Sequence, residues 1–117
     1  MSIVTNMQRA AEQVEITCFS RGDMPFAREL VMMIAEIYSL PPTVTARING
    51  EQLPIAIVQE TYSMLTHELV QKVISDWKDV DYEVKRKKTY LRTALYNSVY
   101  EMESGVINDL RVSGVIS

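Results

Sequence analysis

Five basic side chains lie within eight consecutive residues of this 117-residue chain, whose net charge is −3. Cations at this density typically contact the phosphates of a nucleic acid or an acidic protein surface. On a helix, Lys85, Lys88 and Arg92 would share one face, because residues three and four apart are neighbours there. A purely solvated helix face is the alternative interpretation. We call residues 85–92 the basic segment, and its predicted contact residues are Lys85, Arg86, Lys87, Lys88, Tyr90 and Arg92.

The single cysteine and the single histidine are the one pair that could act as a nucleophile and its base. Cys18 falls on a predicted apolar helical stripe, where a thiol typically behaves as a small buried hydrophobic group. His67 lies at a predicted helix start, which indicates a solvated residue of the first turn. We therefore predict that the protein is not an enzyme, and a thiol enzyme stays as a third hypothesis.

The sequence also lacks the patterns that hold cofactors or metals. The four glycines are isolated, so neither a phosphate-binding loop nor a dinucleotide-binding motif is present. One histidine and one cysteine are too few for a structural zinc site. Four acids near one turn do not match the calcium-loop spacing and are interpreted as caps and solvated groups: Asp76, Asp79, Asp81 and Glu83. We predict no cofactor, no metal and no small-molecule substrate.

Two helices are predicted before residue 41. A first helix over residues 3–20 is predicted from an apolar stripe through Ile3, Met7, Ala10, Val14 and Cys18. Asp23 precedes Met24 and Pro25, a combination that favours a capped helix start. A second helix then buries six residues before the Pro41-Pro42 pair ends it: Phe26, Leu30, Met33, Ile34, Ile37 and Tyr38.

A β-hairpin is predicted over about residues 43–53. Apolar and polar residues alternate up to Asn49-Gly50, a dipeptide that favours a turn with positive φ at both central positions. With this turn, Ile48 faces Glu51 and Ala46 faces Leu53. A two-stranded hairpin is marginal alone, so it must pack on the helices.

Three or four further helices follow the hairpin. Pro54 can open a third helix, and Thr66 can cap a fourth that ends near Asp79. Asp81 is the predicted cap of a long fifth helix that ends at about residues 104–105, and a short helix over residues 106–112 follows. The predicted fold is a mainly α, compact bundle of five to six helices with one small β-hairpin, forming a single domain over residues 1–117. The residues predicted to face inward are Ile55, Val58, Tyr62, Leu65, Leu69, Val70, Val73, Ile74, Trp77, Val84, Leu91, Leu95, Val99 and Met102.

Three blocks of the sequence resemble the C-terminal domain of the replication initiator protein A family of Gram-positive plasmids and conjugative elements. They are Arg47–Val58, Val84–Asn97 (with Tyr90-Leu91, Ala94-Leu95 and Tyr96-Asn97) and Val106–Leu110. The resemblance covers about residues 24–112 and leaves residues 1–20 as an extra N-terminal helix. In that family this domain is similar to the helical DnaD domain of primosome proteins, so the resemblance implies a DnaD-like fold.

The resemblance implies a non-enzymatic interaction module that binds a host replication protein, either a primase, a helicase or a loader, with DNA as a further ligand. The alternative is a free-standing mobile-element protein that inhibits a host nucleic-acid-guided nuclease, as anti-CRISPR proteins do. An acidic balance suits that role, because acidic faces compete for a cationic nucleic-acid channel. Homo-oligomerisation is left open. No membrane-spanning stretch or export signal is evident and one cysteine closes no intramolecular disulfide, so a cytoplasmic protein is predicted.

Overall fold

The computed structural model of the chain describes residues 3–80 and 84–112, with side chains up to Glu101. Within these ranges it contains five α-helices and a two-stranded antiparallel hairpin. The predicted mainly α bundle with one small hairpin is therefore confirmed. The elements are α1 (Ile3–Gln13), α2 (Met24–Tyr38), β1 (Thr45–Ile48), β2 (Glu51–Pro54), α3 (Ile55–Tyr62), α4 (His67–Lys78) and α5 (Lys87–Val112).

The first helix is shorter than the periodicity predicts. α1 ends at Gln13, and Glu15 then adopts a left-handed conformation with φ of 53° before a single 3₁₀ turn over Ile16–Cys18. A left-handed residue ends a helix because the next amide can no longer continue the ladder. The turn moves Phe19 into the core, whereas Cys18 is exposed. The prediction that Cys18 is buried on a continuous stripe was wrong.

α2 is the central element of the bundle and packs against the other four helices. Its Leu30, Ile34 and Ile37 are fully buried, in agreement with the predicted apolar face. Pro25 lies in the first turn, where its missing amide proton leaves no hydrogen bond unmade. The helix provides the surface on which the remaining elements assemble.

The hairpin has the predicted register, with Ile48 opposite Glu51 and Ala46 opposite Leu53. Asn49 and Gly50 both have positive φ, 54° and 79°, as the turn requires. Ala46 and Ile48 are buried, so the apolar side of β1 packs on the helices. The turn is also attached to α5, because the Asn49 and Asn97 side-chain amides exchange two hydrogen bonds of 2.9 and 3.1 Å.

α3 and α4 begin where the sequence predicts. Pro54 immediately precedes α3, and the Thr66 hydroxyl accepts a hydrogen bond from the Leu69 amide at 3.3 Å at the start of α4. Trp77 is only half-buried, although it packs against the core. The predicted inward residues of these helices that are buried are Ile55, Val58, Tyr62, Leu65, Leu69, Val70, Val73 and Ile74.

α5 differs from the prediction at both ends. It continues past Gly105 to Val112, so the break and the separate sixth helix are wrong. A single glycine weakens a helix by about 1 kcal/mol but does not end it. The predicted cap Asp81 and the side chain of Met102 lie outside the described residues. Leu91, Leu95 and Val99 are buried as predicted, and Val84, which precedes the helix, is half-buried.

Asp23 holds the start of α2 against the end of α4. It occupies the cap position of α2, yet its carboxylate makes no capping hydrogen bond, contrary to the prediction. The carboxylate instead accepts hydrogen bonds from the Lys78 ammonium and, at 3.2 Å, from the Gln71 amide. Lys78 and Gln71 lower the pKa of Asp23 below its usual 3.8, because both donate to its charged form.

We expect the Asp23 contacts to make folding sensitive to acid. Because the folded-state pKa of Asp23 is lowered, its stabilisation is fully present above about pH 4 and disappears as the pH falls through the folded value. Asp23→Asn should therefore lower the free energy of unfolding at neutral pH and flatten its dependence below pH 4. Urea denaturation at several pH values measures this. Asp79→Asn, at an exposed position of the same α4 end, is the control, and equal pH profiles for the two variants would contradict the prediction.

Candidate binding surface

The basic segment lies at the beginning of α5, but only part of it is helical. Lys85 and Arg86 precede the helix, and the Arg86 carbonyl accepts the first helical hydrogen bond from the Tyr90 amide at 2.9 Å. The predicted common face of Lys85, Lys88 and Arg92 therefore does not form. Like charges one turn apart repel each other, which disfavours extending the helix through all five cations.

Lys85 and Arg86 are exposed members of the basic segment that have no ion-pair partner among the described residues. They follow directly on the half-buried Val84. Two adjacent cations at a helix start are well placed to meet an anionic ligand, since the first helical amides also point outward there.

Lys87 and Lys88 attach α5 to α2. The Lys87 ammonium lies 3.3 Å from a Glu29 carboxylate oxygen, and the Lys88 ammonium lies 2.6 Å from one of Glu36. Lys87 also lies over the Phe26 ring, at 5.1 Å from its centroid. The sequence predicts both lysines either as contact residues for a partner or as part of a solvated helix face. The overlooked signal is the spacing of Glu29 and Glu36, which are seven residues apart and so lie on one face of α2.

Tyr90 and Arg92 are both half-buried, so they are less accessible than predicted. The Tyr90 ring packs against Trp77 with centroids 5.6 Å apart. The Arg92 backbone carbonyl accepts a 2.7 Å hydrogen bond from the buried Tyr62 hydroxyl. Burial raises the pKa of Tyr62 above the usual value, because the interior disfavours the phenolate. The second half of the basic segment thus contributes mainly to the fold.

A groove of about 400 Å³ lies between α4 and α5, next to the basic segment. We call it the α4/α5 groove. Trp77 and Tyr90 line it with aromatic surface, and the small side chains of Thr93 and Ala94 leave the space between the helices open. Sequence analysis did not find this groove. Its signal on α5 is the repeat of Tyr90, Ala94 and Asn97 at three- and four-residue intervals, which places them on one face.

The charged groups of the α4/α5 groove are Lys72, Asp76 and Glu101, which sum to a negative charge. The Lys72 ammonium lies 3.4 Å from a Glu101 oxygen, and both side chains are more than half exposed. Such an exposed pair is weak, at about 0–1 kcal/mol. Asp76 is exposed and makes no ion pair with a described residue. The groove is therefore acidic, whereas the neighbouring Lys85 and Arg86 are basic.

The cysteine and the histidine do not have the predicted surroundings. His67 is half-buried rather than solvated: its ring packs on Phe19 with centroids 4.3 Å apart, and Nδ1 lies 3.1 Å from the Val14 carbonyl oxygen. Since a carbonyl only accepts, Nδ1 carries the proton in this contact. Among the described side chains no hydrogen bond joins Cys18 to His67. The phenyl ring and the carbonyl fix the orientation of the imidazole.

Within residues 3–80 and 84–101, no three acidic, cysteine or histidine side chains come together in a group that could hold a metal ion. Asp76 and Asp79 of the acidic turn are described and exposed, whereas Asp81 and Glu83 lie outside the described residues. In the same part of the chain, no helix has the length and apolar character needed to cross a membrane.

Comparisons with protein-family models, with curated proteins and with solved structures gave no match to this chain. The resemblance to the replication initiator protein A family therefore stays a prediction.

Proposed function

We propose that the chain is a non-enzymatic, DnaD-like interaction module of a mobile-element replication initiator. It acts in the cytoplasm, where it binds a host replication protein and, through Lys85 and Arg86, also contacts DNA. The mainly α fold with a hairpin leading directly into a helix agrees with this proposal. The observation that carries it is the exposure of Lys85 and Arg86, which make no ion pair with the described residues of a chain that is acidic overall.

Within the basic segment, we assign the DNA contact to Lys85 and Arg86 rather than to Lys87 and Lys88. Lys87 and Lys88 already neutralise Glu29 and Glu36, so a phosphate would have to compete with those carboxylates. Lys85 and Arg86 have no such competing carboxylate among the described residues, and each phosphate that they neutralise adds salt-sensitive affinity. They should therefore contribute more to binding than the lysines of the helix.

The first experiment is affinity capture from a Gram-positive bacterial lysate with and without nuclease treatment. Nuclease-resistant capture of a primase, helicase or loader supports the replication module. Capture that nuclease abolishes points to DNA as the direct ligand. Capture of a nucleic-acid-guided nuclease favours the inhibitor instead. No replication protein together with no DNA affinity at low salt would show that the proposal is wrong.

A charge-matched pair of variants then tests the DNA contact. Lys85→Ala combined with Arg86→Ala should reduce the slope of log affinity against log salt by up to about one unit per lost phosphate contact. Arg21→Ala combined with Arg47→Ala removes the same charge from exposed positions elsewhere and should leave the slope unchanged. Equal slopes for both variants would place the contact outside the basic segment. Fluorescence anisotropy of a labelled duplex measures the affinities.

A further inference from the structure

The α4/α5 groove combines an aromatic wall with a net negative charge. Trp77 and Tyr90 form the wall, and Asp76 and Glu101 carry the carboxylates. Aromatic faces attract cations, and carboxylates accept hydrogen bonds from them. The volume of about 400 Å³ is within the range of small-ligand sites and is ample for one long side chain.

The protein already places a cation against the same aromatic cluster. The Lys87 ammonium lies 5.4 Å from the centroid of the Trp77 ring and 5.1 Å from that of Phe26. Phe26 lies 6.1 Å from Trp77 in a stacked arrangement, and Tyr90 contacts Trp77 from α5. Because Lys87 is itself paired with Glu29, its charge is compensated, and its contact with Trp77 shows that this ring can hold a cation.

We propose that the α4/α5 groove binds an arginine side chain of a partner protein. A guanidinium is planar, so it can stack on Trp77 while its N–H groups donate to the neighbouring Asp76 and, across the groove, to Glu101. The Thr93 hydroxyl can supply a further acceptor on the α5 wall. An incoming guanidinium displaces Lys72 from Glu101, which costs little because that pair is exposed. This binding rests on the groove alone and does not require the replication role or the contact with DNA.

The only tryptophan of the chain lies in the groove, so its fluorescence reports binding directly. The probe is the peptide acetyl-Gly-Arg-Gly-Arg-Gly-amide, titrated into the full chain at low salt. Its matched control carries citrulline, which has nearly the same shape without the charge, in place of each arginine. We expect a saturable change in Trp77 fluorescence with the arginine peptide and none with the citrulline peptide. No change with the arginine peptide would overturn the proposal.

Three variants test whether the peptide binds in the α4/α5 groove and whether negative charge there favours binding. Asp76→Asn and Glu101→Gln should each weaken binding about two- to fivefold, the effect expected for one exposed charge pair. Lys72→Met should strengthen binding by a similar factor, because it removes the competing cation. Glu68→Gln, at an exposed position in the first turn of α4, should have no effect. Binding that responds to none of the three groove variants lies elsewhere, and the proposal would then be wrong.

An oligothymidine strand separates a nucleic-acid ligand from a protein ligand in the same assay. Bases also stack on aromatic side chains, but a strand brings phosphates that Asp76 and Glu101 repel. If the strand changes Trp77 fluorescence and Lys72→Met weakens its binding, the groove is a nucleic-acid site and the proposal fails. Urea denaturation of each variant confirms that it is folded during the titration.

Discussion

Leu91→Ala is expected to lower the free energy of unfolding by about 2–5 kcal/mol. Leu91 is fully buried in the first turns of α5, and α5 packs against α2, α3 and α4. Truncation removes its apolar contacts and leaves a cavity that the surrounding helices fill only in part. Leu91 also follows Tyr90 directly, so the same change should loosen the wall of the α4/α5 groove.

The matched control is Leu40→Ala, since Leu40 is 37% exposed after the end of α2. The same chemical change at this exposed position should alter stability by about 0.5 kcal/mol or less. Urea denaturation followed by far-ultraviolet circular dichroism measures both variants. Similar losses at the two positions would contradict the assignment of Leu91 to the core, and so would a loss below about 1 kcal/mol at Leu91.

Gln13→Leu has the second largest expected effect, a loss of about 2 kcal/mol. Its Nε2 donates to the carbonyl oxygens of Tyr62 at 2.7 Å and Leu65 at 3.0 Å, just at and after the end of α3. Its Oε1 accepts a 2.5 Å hydrogen bond from the Tyr38 hydroxyl. One side chain thus joins α1 to α2 and to the end of α3. Replacing it by leucine removes all three hydrogen bonds in a partly buried region, although the Tyr62 carbonyl still accepts one from the Leu65 amide.

Gln8→Leu is the control for this prediction, because Gln8 is exposed on the same helix. It should change stability by about 0.5 kcal/mol or less, which separates the lost hydrogen bonds from a general effect of leucine on α1. Thermal and urea denaturation of both variants provide the comparison. Equal stability of Gln13→Leu and Gln8→Leu would contradict the prediction, because it would mean that losing the three hydrogen bonds costs nothing.

The elements that sequence analysis located correctly depend on chemistry within a few residues. Asn49-Gly50 specifies its turn because both residues tolerate positive φ, and the turn then determines the pairing of Ile48 with Glu51. Thr66 caps α4 through the amide of Leu69, three residues away. Such contacts close over short distances along the chain, so the pattern alone predicts them.

The errors occur where a distant contact outweighs the local pattern. The apolar stripe predicts Cys18 in the core, but the left-handed Glu15 turns the chain and Phe19 packs there, against His67. Aspartate is a common capping residue, yet the Asp23 carboxylate accepts hydrogen bonds from Lys78 and Gln71 of α4 instead. A charged partner more than 40 residues away cannot be inferred from local spacing.

For the candidate surface too, the sequence predicts some features and only the packing of the helices decides the others. The sequence by itself determines that a cluster of cations lies near the start of α5 and that aromatic residues accompany it. Only the tertiary structure decides that Lys87 and Lys88 form ion pairs with Glu29 and Glu36. Lys85 and Arg86 stay exposed. It also decides that α4 and α5 leave the groove between them. Helical periodicity assigns a residue to a face, but the neighbour of that face depends on how the whole bundle packs.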